Sequence, residues 1–139
     1  MRAAVLLILA CTSFSAWAES WVCEPTDNVG FKFDKDAKNW IKTTFADKSK
    51  YVVQPSSLSN AKWEVILVGE KTPMFLCQEG FSKHEDLLCS LAGEFRFNKK
   101  LLKFSIQSTT GWFADVDTLL KNERAPTSIY VMVGQCKAN

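Results

Sequence analysis

The chain has 139 residues, with 17 basic side chains, 15 acidic side chains and a single histidine, His84. Apolar residues make up 47% of it and charged residues 23%, which is typical of a folded protein and excludes an intrinsically disordered one. One domain is expected at this length. The net charge of +2 gives no basis for nucleic-acid binding, and one histidine excludes metal sites that need several.

The N-terminus has the pattern of an export signal. Arg2 supplies a positive charge, residues 3–10 form an unbroken apolar run, and Ala16-Trp17-Ala18 matches the small-x-small pattern of a cleavage site. We therefore predict that residues 1–18 are a cleaved secretory signal peptide and that the protein is periplasmic or secreted. The apolar run is shorter than the roughly 20 residues that span a bilayer, so no membrane span is expected.

Cys11 offers an alternative, because Ile8-Leu9-Ala10-Cys11 loosely resembles a lipoprotein signal, in which the cysteine is acylated. The apolar run before Cys11 is very short for such a signal. Residues 12–18 are uncharged and largely apolar, whereas a lipoprotein carries a polar tether there. The cleaved signal peptide is therefore favoured, and residues 19–139 are expected to form a single disulfide-stapled β domain.

Four cysteines remain after the predicted cleavage, and an even number in a small exported domain indicates two disulfides. We favour Cys77–Cys89, which closes a short excursion between two strand-like segments, and Cys23–Cys136, which joins the first segment to the last. A zinc site is disfavoured because no C-x-x-C spacing exists, and no metal is expected.

A faint internal repeat keeps another disulfide pairing open. Residues 30–34 (Gly-Phe-Lys-Phe-Asp) resemble residues 93–98 (Gly-Glu-Phe-Arg-Phe-Asn), and residues 66–70 resemble residues 131–135. A duplicated β unit would favour one disulfide in each half, which pairs Cys23 with Cys77 and Cys89 with Cys136.

The predicted elements of the mature chain are almost all strands. Apolar and polar residues alternate in residues 30–34, which is typical of a half-buried strand, and turn formers follow. Further strand-like segments are residues 40–45, 51–53, 63–68, 74–77, 87–92, 94–97, 101–107 and 128–134. We predict an all-β fold, an antiparallel barrel or sandwich of about seven to nine strands.

One predicted hairpin has a well-defined inward face. It turns at Asn98-Lys99-Lys100, and its apolar face carries Phe95, Phe97, Leu102, Phe104 and Ile106.

The one helical candidate covers residues 115–124. Asp115 can cap it, Leu119 and Leu120 give it an apolar side, and Pro126 ends it. A structured loop is the alternative.

Two loops are candidates for a binding surface. Residues 78–86 carry Phe81 and His84 on a loop held by the predicted Cys77–Cys89 bridge, and Trp112 and Phe113 follow a glycine. Aromatic side chains on a stapled loop supply apolar contact area at low entropic cost, which favours a protein-binding surface. The alternative is that these side chains fold back and plug a barrel.

Enzymatic and cofactor chemistry finds weaker support. His84 beside Glu85 and Asp86 could act in acid–base hydrolysis, but a solvated loop tip is the simpler interpretation. Asp115, Asp117 and Glu123 fit no calcium loop, and no Gly-rich phosphate loop is present, so no cofactor is expected. The scattered lysines are interpreted as solvated faces or edge-strand protection.

In general layout the chain resembles the small exported β-barrel proteins of Gram-negative bacteria, some of which inhibit lysozymes or neutralise periplasmic toxins. The resemblance rests on size, signal, disulfides and strand pattern, and it assigns no site residues. We predict an exported, non-enzymatic binding protein with an unknown protein partner. The alternatives are a lipocalin-like carrier of a small apolar ligand and, behind it, a hydrolase that uses His84.

Overall fold

The computed structural model describes residues 19–91, 93–121 and 127–139. The predicted signal peptide, Cys11 and the predicted end of the helix at Pro126 lie outside the described residues. The described part is mostly strand. The strands are β1 (Trp21–Asp34), β2 (Asn39–Thr44), β3 (Tyr51–Pro55), β4 (Trp63–Leu67), β5 (Pro73–Cys77), β6 (Asp86–Leu91), β7 (Glu94–Asn98), β8 (Lys103–Ser108) and β9 (Ser128–Ala138).

The strands form one antiparallel sheet in the order β2-β1-β3-β4-β5-β6-β7-β8-β9, and β1 also pairs with β9. Eight strands therefore close a barrel. Of the two predicted architectures, barrel and sandwich, the barrel is confirmed. β2 is an extra strand. Trp21–Cys23 of β1 pair with β3, whereas the second half of β1 pairs with β2. We call β2, the second half of β1 and the start of β9 the extension.

The interior of the barrel is filled by aromatic and aliphatic side chains. Phe95 stacks on Phe104 with ring centroids 5.6 Å apart, and Phe75 packs against Phe95 at the same distance. All three belong to one cluster of buried side chains. The Phe-rich inward faces thus form a packed core in the described part of the chain.

The inward face predicted for the β7–β8 hairpin is confirmed at four of its five positions: Phe95, Phe97, Phe104 and Ile106. The prediction for Leu102 is wrong. Leu102 lies in the turn, with φ of 53°, and its side chain is exposed. The turn ends later than predicted, so β8 begins at Lys103.

Two disulfides join Cys23 to Cys136 and Cys77 to Cys89, as favoured from the sequence, and the alternative pairing is excluded. All four cysteines are buried, and they pack in the core cluster. Cys23 and Cys136 are direct cross-strand partners of β1 and β9, so their bridge lies on the seam that closes the barrel. Two disulfides are consistent with an extracellular protein.

A β-bulge in β1 decides which side of the sheet its later residues face. The β1–β9 register shifts between Pro25 and Asp27, so the inward positions change from odd to even residue numbers. Phe31 and Phe33 therefore lie on the outer face, whereas Phe95 and Phe97 of the similar segment face inward. The two segments that suggested a repeat thus occupy opposite faces of the sheet.

The predicted helix forms as α1 (Val116–Lys121), preceded by a 3₁₀ helix at Thr110–Phe113. Asp115 caps α1, because its carboxylate accepts hydrogen bonds from the backbone N–H and the hydroxyl of Thr118 at 2.8 and 2.7 Å. Leu119 is buried against Phe33 on the outer face of the extension. Within the described ranges, neither helix has the length and apolar content needed to cross a bilayer.

Candidate functional site

The two aromatic loops predicted as one binding surface lie far apart along β1. Phe81 packs against Trp21 at the start of β1. Trp112 packs against Trp40, which itself contacts Phe33 near the end of β1. At about 3.3 Å per residue, Trp21 and Phe33 are separated by roughly 40 Å of strand. The structure therefore does not bring Phe81 and Trp112 together.

Phe81 closes one end of the barrel. Its ring centroid lies 5.0 Å from that of Trp63, 5.5 Å from Trp21 and 6.0 Å from Phe97. The ammonium of Lys99 lies 4.8 Å from the ring centroid, in cation–π geometry. The side chain is half-buried and belongs to the edge of the core cluster. Its surroundings match the barrel plug that was the alternative role for this residue.

His84 lies at an exposed loop tip, and its two acidic neighbours have other partners. Asp86 accepts a hydrogen bond from the amide of Asn98 at 2.7 Å, and Glu85 forms an ion pair with Lys99 at 3.2 Å. Among the described residues, the imidazole of His84 makes no hydrogen bond with either carboxylate. Within the described ranges, therefore, His84 has no carboxylate that orients its imidazole.

Trp112 and Phe113, by contrast, are presented to solvent. The 3₁₀ helix places Gly111 against the sheet and leaves the Trp112 side chain 59% exposed and that of Phe113 83% exposed. Trp112 is held from one side by the ring of Trp40, with centroids 6.1 Å apart. The two side chains thus form an apolar surface on a supported backbone.

The outer face of the extension adds four apolar side chains that sequence reasoning missed. Val29 and Val131 are direct cross-strand partners, and Phe31 and Val133 follow on the same face of their strands. Each of the four is between 41% and 50% exposed, because α1 covers Phe33 and leaves these positions open. We call these four residues, with Trp112 and Phe113, the outer apolar surface.

The β-bulge in β1 explains why sequence reasoning missed these residues, because it changes which side of the sheet the later residues of β1 face. The alternation of residues 30–34 indicates a strand with one apolar face, but it does not say whether that face lines the core. The bulge between Pro25 and Asp27 turns it outward. The signal that could have shown this was the turn-forming composition of residues 25–28 within a strand.

A small polar cluster lies inside the barrel near the bulge. The hydroxyl of Tyr51 donates a hydrogen bond to the carboxylate of Asp47 at 3.4 Å. Burial, together with the negative charge of Asp47, raises the pKa of Tyr51 and that of Tyr130. The Oδ1 atom of Asn28 is buried without a hydrogen-bond partner among the described residues. The tyrosines are thus held neutral, which suits a structural role.

No group of three or more histidine, cysteine, aspartate or glutamate side chains in the described ranges is arranged to hold a metal ion. Asp115, one of the calcium candidates, is occupied by its capping bonds to Thr118, which lower the pKa of its carboxyl. Glu123 lies outside the described residues.

Comparison with known proteins identifies no relative for this chain. No family model matches it, and no characterised protein or solved structure is significantly similar to it. A functional assignment therefore depends on the surface and the chemistry of the chain itself.

Proposed function

We propose that this chain is an exported, non-enzymatic binding protein that recognises a protein partner through the outer apolar surface. The observation that carries the proposal is the exposure of Trp112 and Phe113 and of four apolar side chains of the extension, which Trp40 and Phe33 connect on the same outer face. Single exposed apolar residues are ordinary on protein surfaces, but a contiguous apolar patch is typical of an interaction site.

The position of the patch on a rigid support favours tight binding. Trp112 is backed by Trp40, and Trp40 by Phe33, which is buried under α1. The barrel beneath is tied by two disulfides. Side chains that are already ordered lose little conformational entropy on association, and buried aromatic anchors supply most of the affinity at protein interfaces.

The two alternatives have less support in the structure. A carrier of a small apolar ligand needs interior space, but Phe75, Phe95 and Phe104 fill the barrel. A hydrolase that uses His84 needs an oriented base, but Glu85 and Asp86 have other partners. An interaction surface is therefore the function that the described residues support best.

The test is affinity capture with matched surface variants. Oxidised protein covering residues 19–139 is immobilised and exposed to an extract of the envelope and culture fluid of the organism that makes it. The double variant Trp112→Ser/Phe113→Ser removes the two most exposed aromatics of the surface. Leu101→Ser is the control, because Leu101 is 63% exposed in the β7–β8 turn, away from the extension.

We expect a protein that is captured by the wild type and by Leu101→Ser but not by the double variant. Capture that is equally strong on all three baits would contradict the role of the outer apolar surface. No capture on any folded bait would contradict a protein partner altogether.

A further inference from the structure

β2 is the edge strand of the extension, and its outer edge has no strand beside it in the described part of the chain. A strand edge presents N–H and C=O groups that can pair with a further strand. Trp40 belongs to β2, and its ring contacts Trp112 of the outer apolar surface. The open edge is therefore continuous with the proposed binding surface.

The register of β1 shows which β2 residues offer their backbone groups. The N–H of Phe33 donates to the carbonyl of Thr127, and the N–H of Phe45 donates to the carbonyl of Asn28. Odd residues of the second half of β1 thus bond toward β9 and even ones toward β2. With Lys32 opposite Ile41, the odd residues of β2 bond to β1. The backbone groups of Trp40, Lys42 and Thr44 therefore point to the open edge.

The charge around this edge is positive. Residues 30–44 contain two aspartates and four exposed lysines, which are Lys32, Lys35, Lys38 and Lys42. Asp34 accepts hydrogen bonds from two backbone N–H groups of the β1–β2 turn. None of the four lysines forms an ion pair within 4 Å with any other described residue. Within the described ranges, therefore, no ion pair neutralises their charge.

A second copy of the chain fits this edge poorly. The antiparallel register that pairs all three outward residues of both copies places the two Lys42 side chains directly opposite each other, and like charges in that position are destabilising. Lysine on an edge strand is a common protection against self-association. An acidic strand meets no such repulsion and gains from the surrounding lysines.

We infer that an acidic, extended segment of the partner adds to β2 as a further strand. The inference rests on the proposed function and names the chemistry of the partner at that surface. The outward backbone groups of Trp40, Lys42 and Thr44 provide hydrogen bonds for a segment of about six residues. Trp40 and Lys42 lie on the same face of β2, so on that face the segment places an apolar side chain next to Trp40 and an acidic side chain near Lys42.

The test is a selection from a phage-displayed library of random dodecapeptides on oxidised wild-type protein, with two variants at one position. Lys42→Ala removes the charge and keeps the N–H. Lys42→Pro removes both, and the loss of this outward N–H costs no bond to β1, so proline is tolerated at the edge. Comparison of the two variants isolates the backbone hydrogen bond. Matching thermal unfolding shows that both variants are folded.

We expect the enriched peptides to be acidic, with an apolar residue two positions from an acidic one, because Trp40 and Lys42 share a face of β2. They should bind Lys42→Ala several-fold more weakly than the wild type, and Lys42→Pro about tenfold more weakly than Lys42→Ala. Bound peptide should slow the hydrogen exchange of the amides of Trp40, Lys42 and Thr44.

The inference is overturned if no peptide is enriched, if enriched peptides carry no acidic excess, or if they bind Lys42→Pro and Lys42→Ala equally. It is also overturned if the three amides exchange at an unchanged rate. These failures differ from a failure of the proposed function, which is read from partner capture by the Trp112→Ser/Phe113→Ser variant and does not involve the edge.

Discussion

Phe81 and Phe113 are phenylalanines in two loops that the sequence predicts as one binding surface, but the structure buries them to very different extents. Phe81 packs among Trp21, Trp63 and Phe97, whereas Phe113 is 83% exposed. Burial of apolar surface is what makes an aromatic side chain contribute to stability. The burial of Phe81 therefore indicates a structural role, and the exposure of Phe113 leaves it available for the proposed binding role.

Phe81→Ala should lower the free energy of unfolding by about 2–3 kcal/mol, because it removes a half-buried ring from an aromatic cluster. Phe113→Ala should change it by less than about 0.5 kcal/mol, because little of that ring is buried. Urea unfolding of the oxidised proteins measures both values. Equal losses in the two variants would contradict the barrel plug.

Tyr51 should make the free energy of unfolding depend on pH in the alkaline range. Burial and the charge of Asp47 raise the pKa of Tyr51 above its ordinary value of 10.0. Above pH 10 the unfolded chain releases the phenolic proton, and the folded protein keeps it. Below pH 10, Tyr51 should therefore contribute its full stabilisation. As the pH rises above 10, the free energy of unfolding should fall.

In Tyr51→Phe, the free energy of unfolding should decrease less steeply above pH 10 than in the wild type. Urea unfolding between pH 8 and pH 11 measures this slope. The pKa of Tyr130 is raised as well, so Tyr51→Phe/Tyr130→Phe should flatten it further. A slope above pH 10 that is the same in the wild type and in both variants would show that these tyrosines do not cause it.

At the scale of single elements, the long strand β1 shows where sequence reasoning reaches its limit. Its second half is evident from the alternation of residues 30–34, but the strand begins at Trp21. Pro25 and Asn28 are turn formers, and they suggest a break in the chain. The strand continues through them because it has β9 as a partner along its whole length, a long-range contact that local pattern does not contain.

Close approach of β1 and β9 depends on Gly134. A Cβ atom at this position would collide with the carbonyl oxygen of Glu24 and with the ring of Phe104. The first of these is backbone and cannot move without disturbing the seam of the barrel.

Gly134→Ala should therefore destabilise the protein by about 3 kcal/mol or more, or prevent folding. Gly80→Ala is the matched control, because among the described residues a Cβ atom there would meet only the flexible side chain of Lys62, at 3.8 Å. Thermal unfolding of both variants, with the yield of oxidised protein, measures the effect. A Gly134→Ala protein as stable as Gly80→Ala would contradict the close packing at the seam.

At the scale of the whole molecule, the sequence predicts the fold better than it predicts the outer apolar surface. Strand segments, turns and cysteines are local or countable features, and they predicted the barrel and its two disulfides. The sequence singles out Trp112 and Phe113 because they follow Gly111 in a loop, and both are exposed. It does not single out Val29 and Val131, because their exposure depends on the bulge and on how far α1 covers the sheet.

The two disulfides should contribute unequally to stability because they close loops of very different length. Cys23 and Cys136 are separated by 113 residues in sequence, and Cys77 and Cys89 by 12. A cross-link restricts the unfolded chain more when it closes a longer loop, and the logarithmic dependence on loop length predicts a difference of about 2 kcal/mol.

All four cysteines are at most 7% exposed, so replacement by alanine removes similar packing in both pairs. Cys23→Ala/Cys136→Ala should therefore unfold at a lower urea concentration than Cys77→Ala/Cys89→Ala, with a free energy of unfolding lower by about that amount. The opposite order would mean that the short bridge, which anchors the loop of Phe81, controls the stability of the barrel more than the bridge on its closing seam.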